Sequence, residues 1–179
     1  MSSQPTADIG SLGRVARPTT PPAYALDALD RQIIELWRAE PRIGVLETSR
    51  RLEVARGTVQ ARIDKMLEAG VIAGFGPELD LTRLGFTVLG FTTIEVAQGR
   101  TEEVIEHLAT IPSVLEAHSI AGQGDLLVRI AATTNEQLMA VLQQILQSPA
   151  VDRASTAIAL ANHIAYRTSP LLEQLTTAD

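Results

Sequence analysis

No cysteine occurs among the 179 residues, which excludes a disulfide framework and thiolate metal ligation and makes a reducing compartment the default expectation. The chain also lacks any run approaching the roughly 18 apolar residues of a membrane span. Its first residues, MSSQPTADIGSLG, have neither the basic flank nor the apolar core of a signal peptide. A cytoplasmic protein without membrane association is expected. His107, His118 and His163 are dispersed, at spacings that suit no metal, so neither a metal nor another cofactor is expected. Net positive charge is missing as well, since the formal total is −6. Taken alone, that total argues against a nucleic-acid partner.

The distribution of charge argues otherwise. Between Arg42 and Lys65 stand six basic residues against three acidic ones, whereas between Leu81 and Asp179 five basic residues face ten acidic ones. With 45% apolar residues, the chain has material for one ordinary domain or two small ones. Two segments with different partners would account for the split.

Residues 1–24, with Pro5, Pro18, Pro21 and Pro22, lack apolar periodicity and are expected to form a tail. In ALDALDRQIIELWRAEPRIG, apolar residues recur at helical spacing until Pro41 and Gly44. A short second helix is expected over about Val45 to Leu52, and a third from Arg56 to a glycine cap at Gly70. Three helices so closely spaced are the pattern of a helix-turn-helix module. VIAGFGPELD reads as two extended pieces around Gly74, a hairpin wing completing the module over residues 25–80. A hinge is expected over residues 81–87.

From there the period changes. FTVLGFTTIEVA reads as a strand, TEEVIEHLAT as a helix, VLEAHSIA and DLLVRIAA as strands, NEQLMAVLQQILQS as a helix and VDRASTAIALA as a strand. The expected class is therefore α+β: an N-terminal winged helix-turn-helix followed by a ferredoxin-like βαββαβ domain over residues 88–172 and a C-terminal tail over 173–179. Both faces of that sheet read as mainly apolar, with Leu126, Val128 and Ile130 alternating with Leu127, Arg129 and Ala131, and Ile158 and Leu160 alternating with alanines. Helices can cover only one face, so the other is expected to pack against a second subunit.

Projected at about 100° per residue, the third helix gathers Val59, Ile63, Met66 and Leu67 on a packed face. Opposite them lie Thr58, Ala61 and Lys65, flanked by Arg62, Gln60 and Asp64. Such a face suits a major groove, where Gln reads adenine, Arg reads guanine, and Thr or Lys holds phosphate. Arg50, Arg51 and Arg56 complete the set of candidate DNA contacts.

The segments LDALDRQIIELWRAEPRIG, RGTVQARIDKMLEAGVIAGFGPELD, IPSVLEAHSIAGQGDLLVRIAATTNEQLMAVLQQI and VDRASTAIAL resemble the leucine-responsive and asparagine regulators, the Lrp/AsnC family, from about Leu26 to Leu172. The resemblance implies a transcription factor, not an enzyme, that binds palindromic sites on double-stranded DNA and responds to a small effector, an amino acid. It implies a dimer joined through the sheet and assembled further, commonly to an octamer. It also implies an effector site at a subunit interface, matching Ser119, Gly122, Gln123, Gly124 and Asp125, with Thr134 and Asn135 nearby and Ala157, Ile158 and Ala159 on the last strand. Two positions depart from the family pattern: Glu53 replaces a turn glycine and Ala55 a serine N-cap, at a cost of about 1 kcal/mol each.

The AGQGD loop itself is no dinucleotide fingerprint, because Leu127 stands where a third glycine belongs and a strand follows instead of a helix. A hairpin turn centred on Gln123 and Gly124 explains the glycines. Asp125 has three open readings: binding an effector ammonium, capping the turn, or pairing with a basic residue of a partner subunit. Two further functions compete with the regulator. One is a tetrapyrrole (siroheme-type) decarboxylase of similar fold, suggested by His107, His118 and Arg129; the other is an effector-binding partner protein whose DNA module Glu53 and Ala55 weaken.

Overall fold

The computed structural model describes residues 24–176, so the tail expected over residues 1–24 lies outside the described residues except for Tyr24, as do residues 177–179. The described chain forms two compact units, one of residues 24–77 with 166–176 and one of Glu78–Ala165.

The first unit holds α1 (Ala28–Ala39), α2 (Val45–Arg51) and α3 (Arg56–Glu68). α1 begins where Asp27 and Asp30 satisfy each other's orphan amides: the Asp27 carboxylate accepts from Asp30 N at 3.0 Å and the Asp30 carboxylate from Asp27 N at 3.3 Å. The Trp37 indole N–H donates to Thr48 Oγ1 at 2.8 Å, tying α1 to α2. Ile33, Val59, Ile63 and Met66 form the buried centre, and each contributes on the order of 2 kcal/mol by leaving water. Leu67, expected on the packed face, is instead 37% exposed. It stands about 100° beyond Met66 and falls off the stripe that two short partner helices can cover. α3 stops at Gly70, whose φ of 71° supplies the left-handed residue that a helix end favours.

Two expectations fail around this unit. The hairpin wing is absent as paired strands, since residues 73–80 carry no regular structure. Pro77 cannot donate to a ladder, Gly74 and Gly76 offer no side chains to pack, and Phe75 lies against the Trp37 ring at 5.0 Å. The C-terminal boundary also moves: Ser169–Thr176 forms a helix, α6, which groups with the first unit. Pro170 in its first turn and the spacing of Leu171, Leu172 and Leu175 are the signals that a tail reading overlooks.

The second unit opens with a hydrogen-bonded turn in the segment expected as a hinge. Asp80 Oδ1 accepts from Thr82 N at 2.9 Å and Arg83 N at 3.2 Å, and Phe86 N donates to Leu81 O at 2.8 Å. There follow β1 (Val88–Val96), α4 (Thr101–Ala109), β2 (Val114–Ser119), β3 (Leu126–Ala132), α5 (Asn135–Ile145) and β4 (Val151–Ile158). All pairings are antiparallel and the strand order is β2-β3-β1-β4, the expected split arrangement. Ile94, Leu126, Val128 and Ile130 pack with Val104, Leu108, Leu138, Val141 and Ile145 in one core. A Cβ on Gly90 would lie 3.2 Å from Leu138 Cδ1, which marks the row of Gly90, Thr92 and Ile94 as the helix side of β1.

The register assigns Leu89, Phe91, Thr93, Leu127, Arg129, Ala131, Ser155 and Ala157 to the other face. That face is less apolar than expected. Thr93 and Ser155 interrupt it, and Arg129 pairs with Glu116 at 3.0 Å. Ile158 stands opposite Gly90 in the helix-side row and is 48% exposed, while Leu160 lies past the strand end and is 98% exposed.

Candidate nucleic-acid interface and effector loop

The approach to α3 carries the two departures in physical form. Glu53 has φ 55°, and no other non-glycine residue among those described has positive φ. An L-residue there bears roughly 1 kcal/mol of strain. Ala55 is the N-cap of α3 and supplies no side-chain bond, so the first amides of the helix lack a side-chain acceptor.

Beyond the cap, Arg56, Thr58, Gln60, Ala61 and Lys65 are exposed, on the side opposite buried Val59, Ile63 and Met66. Arg56 and Thr58 make no side-chain hydrogen bond among the described residues. Gln60 donates to Asp64 Oδ1 at 2.8 Å, and Lys65 Nζ lies 5.2 Å from the centre of the Tyr24 ring. Arg50 and Arg51 are less free. Arg50 stands 3.6 Å from Glu47, while Arg51 pairs with Glu40 and, at 3.3 Å, with Glu47. The hydrogen bond to Glu40, followed by that to Glu47, raises the Arg51 guanidinium above its usual range. Solvent screens exposed pairs of this kind, so a phosphate can exchange with either carboxylate.

Arg62 is placed differently from the other six. Its Nη1 bonds the Asp27 carboxylate and stands 3.4 Å from Asp30 Oδ1, and Asp30 is 1% exposed. The Tyr24 hydroxyl donates to the second oxygen of Asp30 at 3.3 Å. Tyr24, Asp27 and Asp30 were not read from the sequence as part of this surface. The pair Asp27 and Asp30, three apart before an apolar run, is the capping-box signal that would have marked them.

In the second unit the glycine loop is longer than a two-residue turn, because Ile120 N donates to Asp125 O at 3.0 Å and residues 121–124 lie between them. Gly124 has φ 81°, and a Cβ there would meet Thr93 Cγ2 at 2.4 Å and Ile94 O at 3.0 Å. Glycine is therefore required by backbone shape and by close packing on β1. Asp125 also turns to β1: its N–H donates to Ile94 O at 2.8 Å, and its Oδ2 accepts from Val96 N at 2.7 Å. The carboxylate thus closes the end of a neighbouring strand and makes no bond to its own turn.

The expected effector residues do not converge within one chain. Ser119 and Gly122 to Asp125 lie at the Leu126 end of β3, whereas Thr134 and Asn135 follow its Ala132 end. Ala157 to Ala159 are beside Phe91 to Leu89, at that second end as well. Six residue steps of about 3.3 Å separate the two ends, roughly 20 Å. Thr134 is the N-cap of α5 and accepts from Gln137 N at 3.2 Å. Its hydroxyl also draws the Glu136 carboxyl below its usual range.

The histidines have bland surroundings. His107 shares a 2.8 Å hydrogen bond with Gln144 O, and His118 lies 3.5 Å from Glu116. Among the described residues no group of three or more His, Asp or Glu could hold a metal, and no helix is long and apolar enough to cross a membrane.

Known proteins share both units. Residues 26–67 match the AsnC-type helix-turn-helix domain and residues 89–169 the Lrp/AsnC ligand binding domain. The HTH-type transcriptional regulator FL11 of Pyrococcus horikoshii is 32% identical over 138 residues, which cover 77% of this chain and 91% of that protein. The structure of E. coli AsnC superposes with a TM-score of 0.77 at 26% identity, over 82% of this chain and 100% of that one. NMB0573 of Neisseria meningitidis, solved as an L-Met complex, gives a TM-score of 0.67 at 20% identity, over 80% of this chain and 95% of that one. A helix-turn-helix unit and a ferredoxin-like unit in one chain, with these relatives, define a DNA-binding transcriptional regulator. The chain belongs to the Lrp/AsnC family. Its relatives are regulators, so the decarboxylase reading is withdrawn. Arg129 pairs with Glu116 through Nη1, while its buried Nε has no hydrogen-bond partner among the described residues.

Proposed function

We propose that this regulator reads duplex DNA with α3, acts as a cytoplasmic homodimer that assembles further, to an octamer, and changes its DNA binding or assembly when an amino acid binds between subunits. The observation that carries the DNA reading is the exposed row of Arg56, Thr58, Gln60 and Lys65 opposite the buried row of α3. Arg50 and Arg51 serve as exchangeable phosphate contacts. A dimer presents two such helices, which calls for palindromic half-sites about one helical turn apart. Lys65→Ala and Arg56→Ala should each weaken binding and lower the salt slope by about one. Unchanged slopes in both would remove α3 as the reader.

Two observations support the effector reading. The loop at Ser119 and Gly122 to Asp125 and the second group at Thr134, Asn135 and Ala157 to Ala159 stand at opposite ends of one sheet, so a pocket using both needs a second copy. A structural relative, NMB0573, was solved with L-Met. Thermal melts and sedimentation with each amino acid test it. One amino acid should raise the melting temperature and shift the assembly, and no response to any of them would sink the reading.

A second reading is favoured by Glu53 at φ 55° and the uncapped Ala55: an effector-binding partner protein whose own DNA affinity is low. Under it, Glu53→Gly with Ala55→Ser raises DNA affinity sharply, whereas the primary reading leaves affinity within a few-fold of the parent.

A further inference from the structure

The cations of the helix-turn-helix unit differ in what holds them. Arg50 and Arg51 pair with carboxylates that are 46% and 47% exposed, from which solvent or phosphate can take over. Arg62 pairs with Asp27, which is 46% exposed, and, at 3.4 Å, with Asp30, whose side chain is 1% exposed. Among the described residues, Arg62 is the cation paired with Asp30. Turning Arg62 outward to a phosphate would leave a buried carboxylate without its counter-charge, which disfavours the move strongly.

We propose that Arg62 is a positioning residue, which clamps α3 to the start of α1 through Asp27 and Asp30 and makes no DNA contact. The proposal rests on the reading of α3 as the DNA-contacting helix and changes the role of one residue within it. The clamp joins the middle of α3 to the capping box of α1, so it fixes the pitch and rotation at which Gln60 and Lys65 are presented. The same network reaches Lys65. Tyr24 gives its hydroxyl to Asp30 Oδ2 and its ring face to Lys65 Nζ, so one carboxylate orders a cation on the inner flank and, through Tyr24, another on the outer face. The Asp27 carboxyl is held below its usual range, first by the backbone amide of Asp30 and also by Arg62.

The test uses the full-length protein with two duplexes of equal length: one recovered by selection from random DNA with the parent protein, and one of random sequence. Binding is measured across salt, with the active fraction fixed by titration. Arg62→Gln removes the clamp from α3. Asp27→Asn removes one anion while keeping a side-chain oxygen for the cap and leaving Arg62 in place. A positioning role predicts that both variants reduce the preference for the selected duplex by about tenfold, the size of one lost base contact, at an unchanged salt slope. A direct contact predicts that Arg62→Gln lowers the slope by about one. It also predicts that Asp27→Asn, by freeing the cation, tightens binding; either result overturns the proposal. An unchanged preference in both variants overturns it too, since the clamp would then serve stability alone. If Arg62→Gln does not fold, Asp27→Asn decides, because the two roles give opposite signs. Lys65→Ala and Arg56→Ala run alongside. Intact slopes there reject α3 as the reader and the proposal with it, an outcome distinct from a slope change confined to Arg62.

Discussion

The Asp125 carboxylate accepts a hydrogen bond from the Val96 backbone amide at 2.7 Å, at the point where the register of β1 against β4 shifts between Glu95 and Val96. A strand end that would otherwise leave an amide unpaired is closed by a side chain from the loop beside it. Removing the acceptor should cost about 1–2 kcal/mol, so Asp125→Ala melts below the parent and Asp125→Asn, which keeps an oxygen, falls between them. Thermal denaturation without ligand checks this order. Under the proposed effector reading, a loss of response in Asp125→Ala reports on this hydrogen bond as much as on the ligand. The same loss in an Asp125→Asn protein of parental stability would assign the charge to the ligand.

Gly124 and Gly99 form a matched pair with φ of 81° and 77°. Alanine at either position meets the left-handed penalty of about 1 kcal/mol. Only at Gly124 does the new methyl also strike Thr93 and Ile94; at Gly99 it enters open space. Gly124→Ala should therefore destabilise by about 2–4 kcal/mol and Gly99→Ala by about 1, measured by denaturant titration. Equal effects would mean that the loop yields freely.

Glu53→Gly should stabilise the helix-turn-helix unit by up to about 1 kcal/mol, because release of left-handed strain outweighs the extra freedom glycine has when unfolded. Ala55→Ser adds a side-chain acceptor for the first turn of α3, worth about 1 kcal/mol more. The two sites are neighbours, so the double variant tests whether the gains add.

Acid should weaken the same unit in a defined window. The Asp27 carboxyl has a folded pKa below its unfolded one, so its contribution is complete above the unfolded value, about 4, and is lost as pH falls through the lower folded value. Melting temperatures from pH 6 down to pH 2 should drop below about pH 4. Asp27→Asn should flatten that drop while lowering stability at neutral pH.

Most of the fold was legible because its signals are periodic. Val59, Ile63 and Met66 announce the inner face of α3, and the alternation of Leu126, Val128 and Ile130 announces β3. Where sequence reading failed, the deciding partner was distant or the pattern was weak. Arg62 flanks a helix face from which it can turn either way, and its carboxylates lie 35 and 32 positions earlier. The wing rested on glycines that mark a bend equally well. The effector residues were grouped by resemblance, and only the length of β3 separates them into two ends. Three roles are open to Asp125 from the sequence, and the bond it makes within the chain is to Val96, a backbone amide with no sequence signature.

Trp37, the one tryptophan of the chain, lies in the helix unit, with its indole bonded to Thr48 and its ring beside Phe75. Its emission therefore reports on that unit alone, while β-sheet circular dichroism follows the other. The chain carries a built-in optical probe that lets the melting of its helix-turn-helix unit be timed separately from that of its ferredoxin-like unit, with no label attached.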